Sequence, residues 1–130
     1  MNVGDRIPEW SVPITPTLIV STAIATRDFQ DVHHDRDLAQ GHGSKDIFMN
    51  ILTSTGLVER FVTDWAGGDT DIRGIAIRLG APAYPYDTLT FSGTVSSIEE
   101  GIAVIDVRGA VSLGDHVVGT VRIASPVDAA

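Results

Sequence analysis

Between Ser44 and Gly68 the apolar residues recur at helical spacing, and beyond Gly68 they alternate with period two, so the fold has to seat one long helix against a run of strands. Ile47, Ile51, Val58, Val62 and Trp65 mark the helical stripe, with Phe48, Leu52 and Phe61 beside it. Ser44 is the expected N-cap, Asp46 falls in a first turn where the helix dipole favours an acid, and Gly67-Gly68 ends the element. An apolar arc this wide normally lies on a sheet. Gly56, inside the helix, costs about 1 kcal/mol relative to Ala unless something must come close there.

Beyond the helix, Ile75, Ile77 and Leu79 alternate with Gly74, Ala76 and Arg78, and Leu89, Phe91, Gly93 and Val95 alternate with Thr and Ser. Residues 102–111 and 117–123 continue the pattern, which makes four strands. Short turns at Glu99-Glu100-Gly101 and Leu113-Gly114-Asp115 join the last three into an antiparallel meander. Ahead of the helix, residues 14–25 (ITPTLIVSTAIA) are rich in Ile, Val and Thr and read as a strand. Residues 27–43 are polar and read as a loop with one helical turn around residues 36–40. Strand, loop, long helix and antiparallel sheet add up to a two-layer α+β fold in which a sheet wraps one helix. No repeat or linker interrupts it, so residues 1–130 read as one domain.

A chain of 130 residues with 43% apolar content can bury a core of its own, and a mean hydropathy of +0.15 points to apolar faces beyond that core, as in an oligomer. It has no cysteine, which excludes disulfides and thiolate metal sites. Seventeen acidic residues against nine basic ones, with Lys45 the sole lysine, argue against duplex nucleic acid as a partner, because such binding needs clustered cations. No apolar stretch approaches the roughly 20 residues of a membrane-spanning helix. The start, MNVGDRIPEW, lacks the basic end and apolar centre of a secretory signal, so the expected location is cytoplasmic.

Asp28, His33, His34, Asp35 and His42 crowd the polar loop before the helix. Three readings are open on these residues alone. The loop can be a solvated, acid-rich segment that contains histidines. It can hold a divalent cation, although adjacent His33 and His34 would point apart on an extended chain. Or Asp28 and His33 can form an acid/base pair, in which a carboxylate orients an imidazole that titrates near neutrality.

Written D-x-x-x-V-H-x-D-x-x-x-A-x-x-x-G, the run Asp28, Val32, His33, Asp35, Ala39, Gly43 resembles the signature of the MaoC-like (R)-specific 2-enoyl-CoA hydratases and hydroxyacyl-thioester dehydratases. The resemblance continues through LTSTGLVERFVTDWAG, with Gly56, Phe61, Thr63, Trp65 and Gly67 at matching places, and through RLGAPAYPYDTL, which is similar to the family's P-x-x-P-G-D-T-L segment. It implies a hotdog fold, a curved antiparallel sheet around one long helix. It further implies that Asp28 and His33 hold the water that adds to the substrate, that backbone N–H groups at the helix start, with Ile51 the positional candidate and Asn50 and Gly56 beside the substrate, polarise the thioester carbonyl, and that no metal or redox cofactor takes part.

Two departures stand out. The family usually has Asn-Pro where this chain has Gln30-Asp31, and His-Gly where it has Asn50-Ile51. Asp31 therefore places a second carboxylate near Asp28, which would raise one pKa if the two faced each other. His34 is expected to be an exposed neighbour, Asp35 a loop brace, and His42 and His116 structural. V-H-H-D, D-I-F-M-N and T-D-W-A-G are similar to the small single-hotdog subunits of actinobacterial steroid side-chain enoyl-CoA hydratases. That resemblance implies an acyl-CoA substrate and a second hotdog chain as partner, with a homodimer the other option. Arg73 and Arg78, and also Arg108, are the candidate CoA contacts on this chain. A hotdog thioesterase, or a non-catalytic partner subunit, are the competing functions; for the former, Glu59 and Asp64 are the only acids inside the helix.

Overall fold

The computed structural model describes residues 1–124. Five strands form one antiparallel sheet in the order β1-β3-β4-β5-β2: β1 Arg6–Pro13, β2 Ile72–Leu79, β3 Thr88–Glu99, β4 Ile102–Val111 and β5 Gly114–Ala124. Three helices, α1 Pro16–Ala25, α2 Arg36–Gly41 and α3 Ile51–Ala66, lie between β1 and β2. α3 rests on the sheet, touching β1, β2 and β5. This is the hotdog arrangement, and the four strands and two tight turns after the helix stand where the period-two pattern puts them.

The sheet is two-faced for the reason the alternation gives. Leu89, Phe91, Gly93 and Val95, with Ala103, Ile105, Val107 and Val111, point inward and are buried, while Thr90, Ser92, Thr94, Asp106 and Arg108 face out. Val58, Phe61 and Val62 of α3 complete the core from the other side. Helix and sheet approach closely at Gly93, where an added Cβ would stand 3.1 Å from both Phe61 Cε2 and Ile7 Cδ1. The outward face of α3, from Ile51 and Leu52 through Gly56 to Glu59 and Arg60, is uncovered in the single chain.

Two expectations are corrected. Residues 14–25 are not a strand: Thr15 caps α1 by accepting the Leu18 N–H at 3.0 Å, Pro16 occupies a first-turn position where its missing N–H does no harm, and Ile19 and Ala23, four apart, are its buried residues. Thr22 and Thr26 return their hydroxyls to carbonyls four residues back, at 2.7 and 2.8 Å, so the polar groups of this β-branched run are satisfied within the helix. The strand at this end is β1, whose prolines disguise it. Pro8 and Pro13 are tolerated because β1 is an edge strand with an irregularity between Ile7 and Trp10.

Nor does the long helix begin after Ser44. It starts at Ile51, is capped by Asn50, and runs 16 residues to the stop at Gly67. The backbone of residues 47–50 serves other contacts: the Phe48 N–H donates to the Val32 carbonyl at 3.1 Å and the Met49 N–H to the Ala83 carbonyl at 3.1 Å. Ser44 gives its hydroxyl to the Asp46 carbonyl instead of capping. Ile47 is buried and Phe48 half-buried in this extended approach, which is why the apolar stripe runs on ahead of the helix in the sequence.

Because β2 and β3 lie on opposite sides of the β4–β5 pair, residues 80–87 cross one end of the sheet. The Gly80 and Ala81 N–H groups bond to the His116 and Asp115 carbonyls, and the Ala83 carbonyl reaches Met49. The amino end of α3 is therefore anchored at this end of the sheet. Among the described residues no helix is long and apolar enough to cross a membrane.

Candidate active site

The loop that leaves α1 delivers an acid and an imidazole to the start of α3. Arg27 takes a left-handed φ of 56°, which lets the Asp28 N–H turn back to the Ala23 carbonyl at 2.8 Å. The Gln30 N–H then donates to Asp28 Oδ1 at 3.3 Å, and a 3-10 turn over Asp31–His33 carries His33 round to the same carboxylate. His33 Nε2 lies 3.3 Å from Asp28 Oδ2. His33 is buried, its Nδ1 2.6 Å from the Phe48 carbonyl and its ring edge-on to the Phe48 ring. Since a carbonyl only accepts, Nδ1 carries the hydrogen and Nε2 is the nitrogen turned to Asp28.

The two adjacent histidines both turn toward residue 28, yet to different groups. His34 Nε2 meets the Asp28 main-chain carbonyl at 2.6 Å, and its ring stacks on Phe29. Asp31 does not face Asp28. It is more than half exposed and lies 3.9 Å from His42 Nε2, so the condition under which it would raise a carboxyl pKa is not met. Burial acts to raise the Asp28 carboxyl, but hydrogen bonds from Asn50 and from the Gln30 N–H, with His33 and His34 nearby, outweigh it and hold the group below the usual carboxylate range. Asp28 is thus an anion with its side chain still partly open to solvent.

Asn50 joins this pair to the helix. Its Nδ2 donates to Asp28 Oδ2 at 3.2 Å and to Thr26 Oγ1 at 2.9 Å, while its Oδ1 accepts the Thr53 N–H at 3.0 Å. Among the described residues nothing accepts from the N–H groups of Ile51 and Leu52. Two free donors at the positive end of α3 therefore stand one and two residues beyond a side chain that touches the Asp28 carboxylate. Ile51 and Leu52 are themselves about half exposed, and Phe29 beside Asp28 about two thirds, so the site is bordered by apolar side chains.

The other candidates sit apart. Gly56 faces out, and an added Cβ would meet nothing within 4 Å inside this chain. Arg73 pairs with Asp71 at 2.8 Å at the start of β2. Arg78 lies on the sheet's outer face, in register with Val118 and through it with Arg108, whose partner is Asp115 at 3.4 Å. Asp35 caps α2 by accepting the Leu38 N–H at 3.0 Å. Glu59 and Asp64 are exposed on α3, Asp64 3.4 Å from Arg60. Among the described residues no three His, Asp or Glu side chains gather as a metal site.

A polar contact that the sequence reading passed over lies one turn into the helix. Ser54, fully buried, is 2.7 Å from His116 Nε2, and His116 Nδ1 is 2.7 Å from the Ala81 carbonyl. Burial pushes the His116 imidazole below its usual pKa, against the raising effect of the Ala81 bond. His116 thus ties α3 to β5 and to the crossing segment. The alternation of β5, which buries Val117, Val121 and Ile123, would turn His116 outward. The register shift between Gly109 and Ala110 skips His116 and lets it lie buried beside Val117, so the period-two pattern gave no sign of it.

Known proteins share this construction. The model of the MaoC like domain family matches residues 4–116. The beta subunit of the 3-oxo-4,17-pregnadiene-20-carboxyl-CoA hydratase of Mycobacterium tuberculosis is 59% identical over 121 residues, which is 93% of this chain and 94% of that one. A chain in the crystal structure of the ChsH1-ChsH2 complex from Mycobacterium tuberculosis is 57% identical and superposes with a TM-score of 0.94, over 96% of this chain and 98% of that chain. The (R)-hydratase from A. caviae involved in PHA biosynthesis superposes with a TM-score of 0.88 at 18% identity, over 97% of this chain and 98% of that one, a likeness of fold. With a family model matched across most of its length and a relative at this identity, the chain belongs to the MaoC-like domain family.

Proposed function

We propose that this chain is the acid/base subunit of a hydratase that adds water across the double bond of a 2-enoyl-CoA thioester. The observation that carries the reading is the approach of Asp28 and His33 to 3.3 Å beside the free amide donors of α3. A water held between the Asp28 carboxylate and His33 Nε2 loses a proton to Asp28 as its oxygen bonds to Cβ. The electron pair of the double bond moves through Cα to the thioester oxygen. The Ile51 and Leu52 N–H groups, with the helix dipole behind them, stabilise the charge that develops there. The proton then passes through Nε2 to Cα. The sum is H and OH added, with no net change of oxidation state. The acid, the base and the donors suffice, and coenzyme A enters only as part of the substrate.

The steroid side-chain class of substrate is supported by the name of the relative at 59% identity. A second hotdog subunit as partner is supported by the complex in which the chain at 57% identity was crystallised. Ile51, standing where the family usually has glycine, keeps the amide donor and adds a branched side chain at the mouth of the site. Arg73 and Arg78 lie away from the pair, so we assign the CoA phosphates chiefly to cations of the partner.

Asp28→Asn and His33→Ala, each in the assembled enzyme, are expected to lower turnover about 100-fold or more while leaving the circular dichroism unchanged. The assay is the disappearance of the ultraviolet absorbance of the conjugated enoyl thioester. Release of free thiol at the same rate identifies a thioesterase instead. Full turnover by both variants means that the active loop belongs to the partner, and the proposal fails.

A further inference from the structure

We infer that Asn50 is a positioning residue for the hydration step: its carboxamide locks the Asp28 carboxylate to the amino end of α3, so that base and amide donors are held by one side chain. The inference rests on the hydratase reading of the Asp28–His33 pair. Its basis is the complete use of the Asn50 side chain. Asn50 is buried, at 2% exposure. Both Nδ2 hydrogens are taken, by Asp28 Oδ2 at 3.2 Å and Thr26 Oγ1 at 2.9 Å. Both Oδ1 lone pairs are taken, by the Thr53 N–H and the Thr53 hydroxyl.

No polar atom of Asn50 remains for a substrate, which removes it from the oxyanion and substrate contacts expected from the sequence. The amide cannot be turned over either. Thr53 N–H only donates and the Asp28 carboxylate only accepts, so the flipped amide would set donor against donor and acceptor against acceptor. The N-cap geometry that starts α3 therefore dictates where Nδ2 points. Because Ile51 and Leu52 follow Asn50 directly, a rotation of the helix start would move the two donors and the carboxylate together. The charged or titratable groups around Asp28 are His33 and His34 of its own loop; from α3 it meets only this neutral amide, and Asp31 is turned to His42.

The test separates positioning from support of the fold. Asp and Ser both cap helices nearly as well as Asn, so Asn50→Asp and Asn50→Ser should keep α3, read as unchanged circular dichroism well below the melting transition. Both should lower the melting temperature through the lost bonds to Asp28 and Thr26. Asn50→Asp sets a second carboxylate beside Asp28, and two such groups cannot both ionise at ordinary cost. The acid limb of the kcat/KM profile should rise by about one pH unit or more, and kcat near neutrality should fall about 10-fold or more, with KM little changed. Asn50→Ser caps the helix but is too short to reach Asp28, and should lower kcat about 10-fold without the rise in the limb. If Asp28→Asn abolishes turnover but Asn50→Asp leaves the limb in place, or Asn50→Ser leaves kcat unchanged, the inference is overturned and the hydratase reading stands. If Asp28→Asn itself retains turnover, the hydratase reading fails and the inference with it.

Discussion

The two ends of α3 are held by different forces. At the carboxyl end Val58, Phe61 and Val62 are buried among apolar neighbours, Phe61 stacks on Phe91 at 5.5 Å, and Phe91 stacks in turn on Trp10 at 5.5 Å. At the amino end the buried residues are Asn50, Thr53 and Ser54, each engaged in hydrogen bonds. Apolar burial is non-directional: it sets how near the helix lies to the sheet and supplies most of the attachment. Hydrogen bonds specify direction, and buried polar groups are tolerated only when every one is satisfied. The donors and the base belong at the directional end, because a catalytic group displaced by half an ångström or so loses much of its effect.

The severest way to break this division is Phe61→Ala. It removes a buried ring from the apolar end and should destabilise the chain by about 3–5 kcal/mol, read as a lower midpoint in urea unfolding. The amino-end network has no direct contact with that ring. Turnover per folded molecule should therefore stay near wild type below the transition, where a comparable loss of activity would mean that the two ends are coupled.

Acid should act on the polar end first. Burial holds the His116 imidazole below its ordinary 6.5, so the unfolded chain binds a proton there that the folded chain resists. The stability is complete above pH 6.5 and declines as the pH falls through that value toward the folded pKa, by at most about 1.4 kcal/mol per pH unit. Asp87, lowered chiefly by the Ser112 hydroxyl, and Asp28, lowered against its burial, behave as carboxylates do. Their contributions persist above 3.8 and are lost as the pH falls below it. Melting curves across this range should show an early loss just below pH 6.5 that is absent in His116→Gln. An early loss that survives the substitution would assign it to another histidine.

The same contrast explains what the sequence could disclose. In the meander each strand buries one face, so Leu89, Phe91, Gly93 and Val95 write their positions into the alternation. Residues 14–50 answer to caps and single hydrogen bonds, which leave no period. Thr15 caps α1 and the hydroxyls of Thr22 and Thr26 find carbonyls inside it, so a β-branched run sits in a helix. Ile47 and Phe48 run the helical stripe on ahead of α3 while the Phe48 and Met49 N–H groups bond to the Val32 and Ala83 carbonyls. The resemblance supplied Asp28 and His33 from their spacing. It could not supply the Asn50 link, because that depends on which way a capped amide faces.

Tyr86 offers the finest test of the crossing segment that braces the polar end. It holds a left-handed φ of 70°, where the family segment similar to it has glycine, and its N–H still bonds to the Ile14 carbonyl at 2.8 Å. The residue is 85% exposed, so removing its side chain forfeits almost no burial within this chain. Tyr86→Gly relieves about 1 kcal/mol of left-handed strain and gives back roughly half or more of it as unfolded-chain entropy. A gain of a few tenths of a kcal/mol should result, visible as a slightly higher urea midpoint. Should the lone chain gain as expected while the assembled enzyme becomes less stable, the phenol ring would belong to a subunit contact, and the brace of the polar end would continue into the partner.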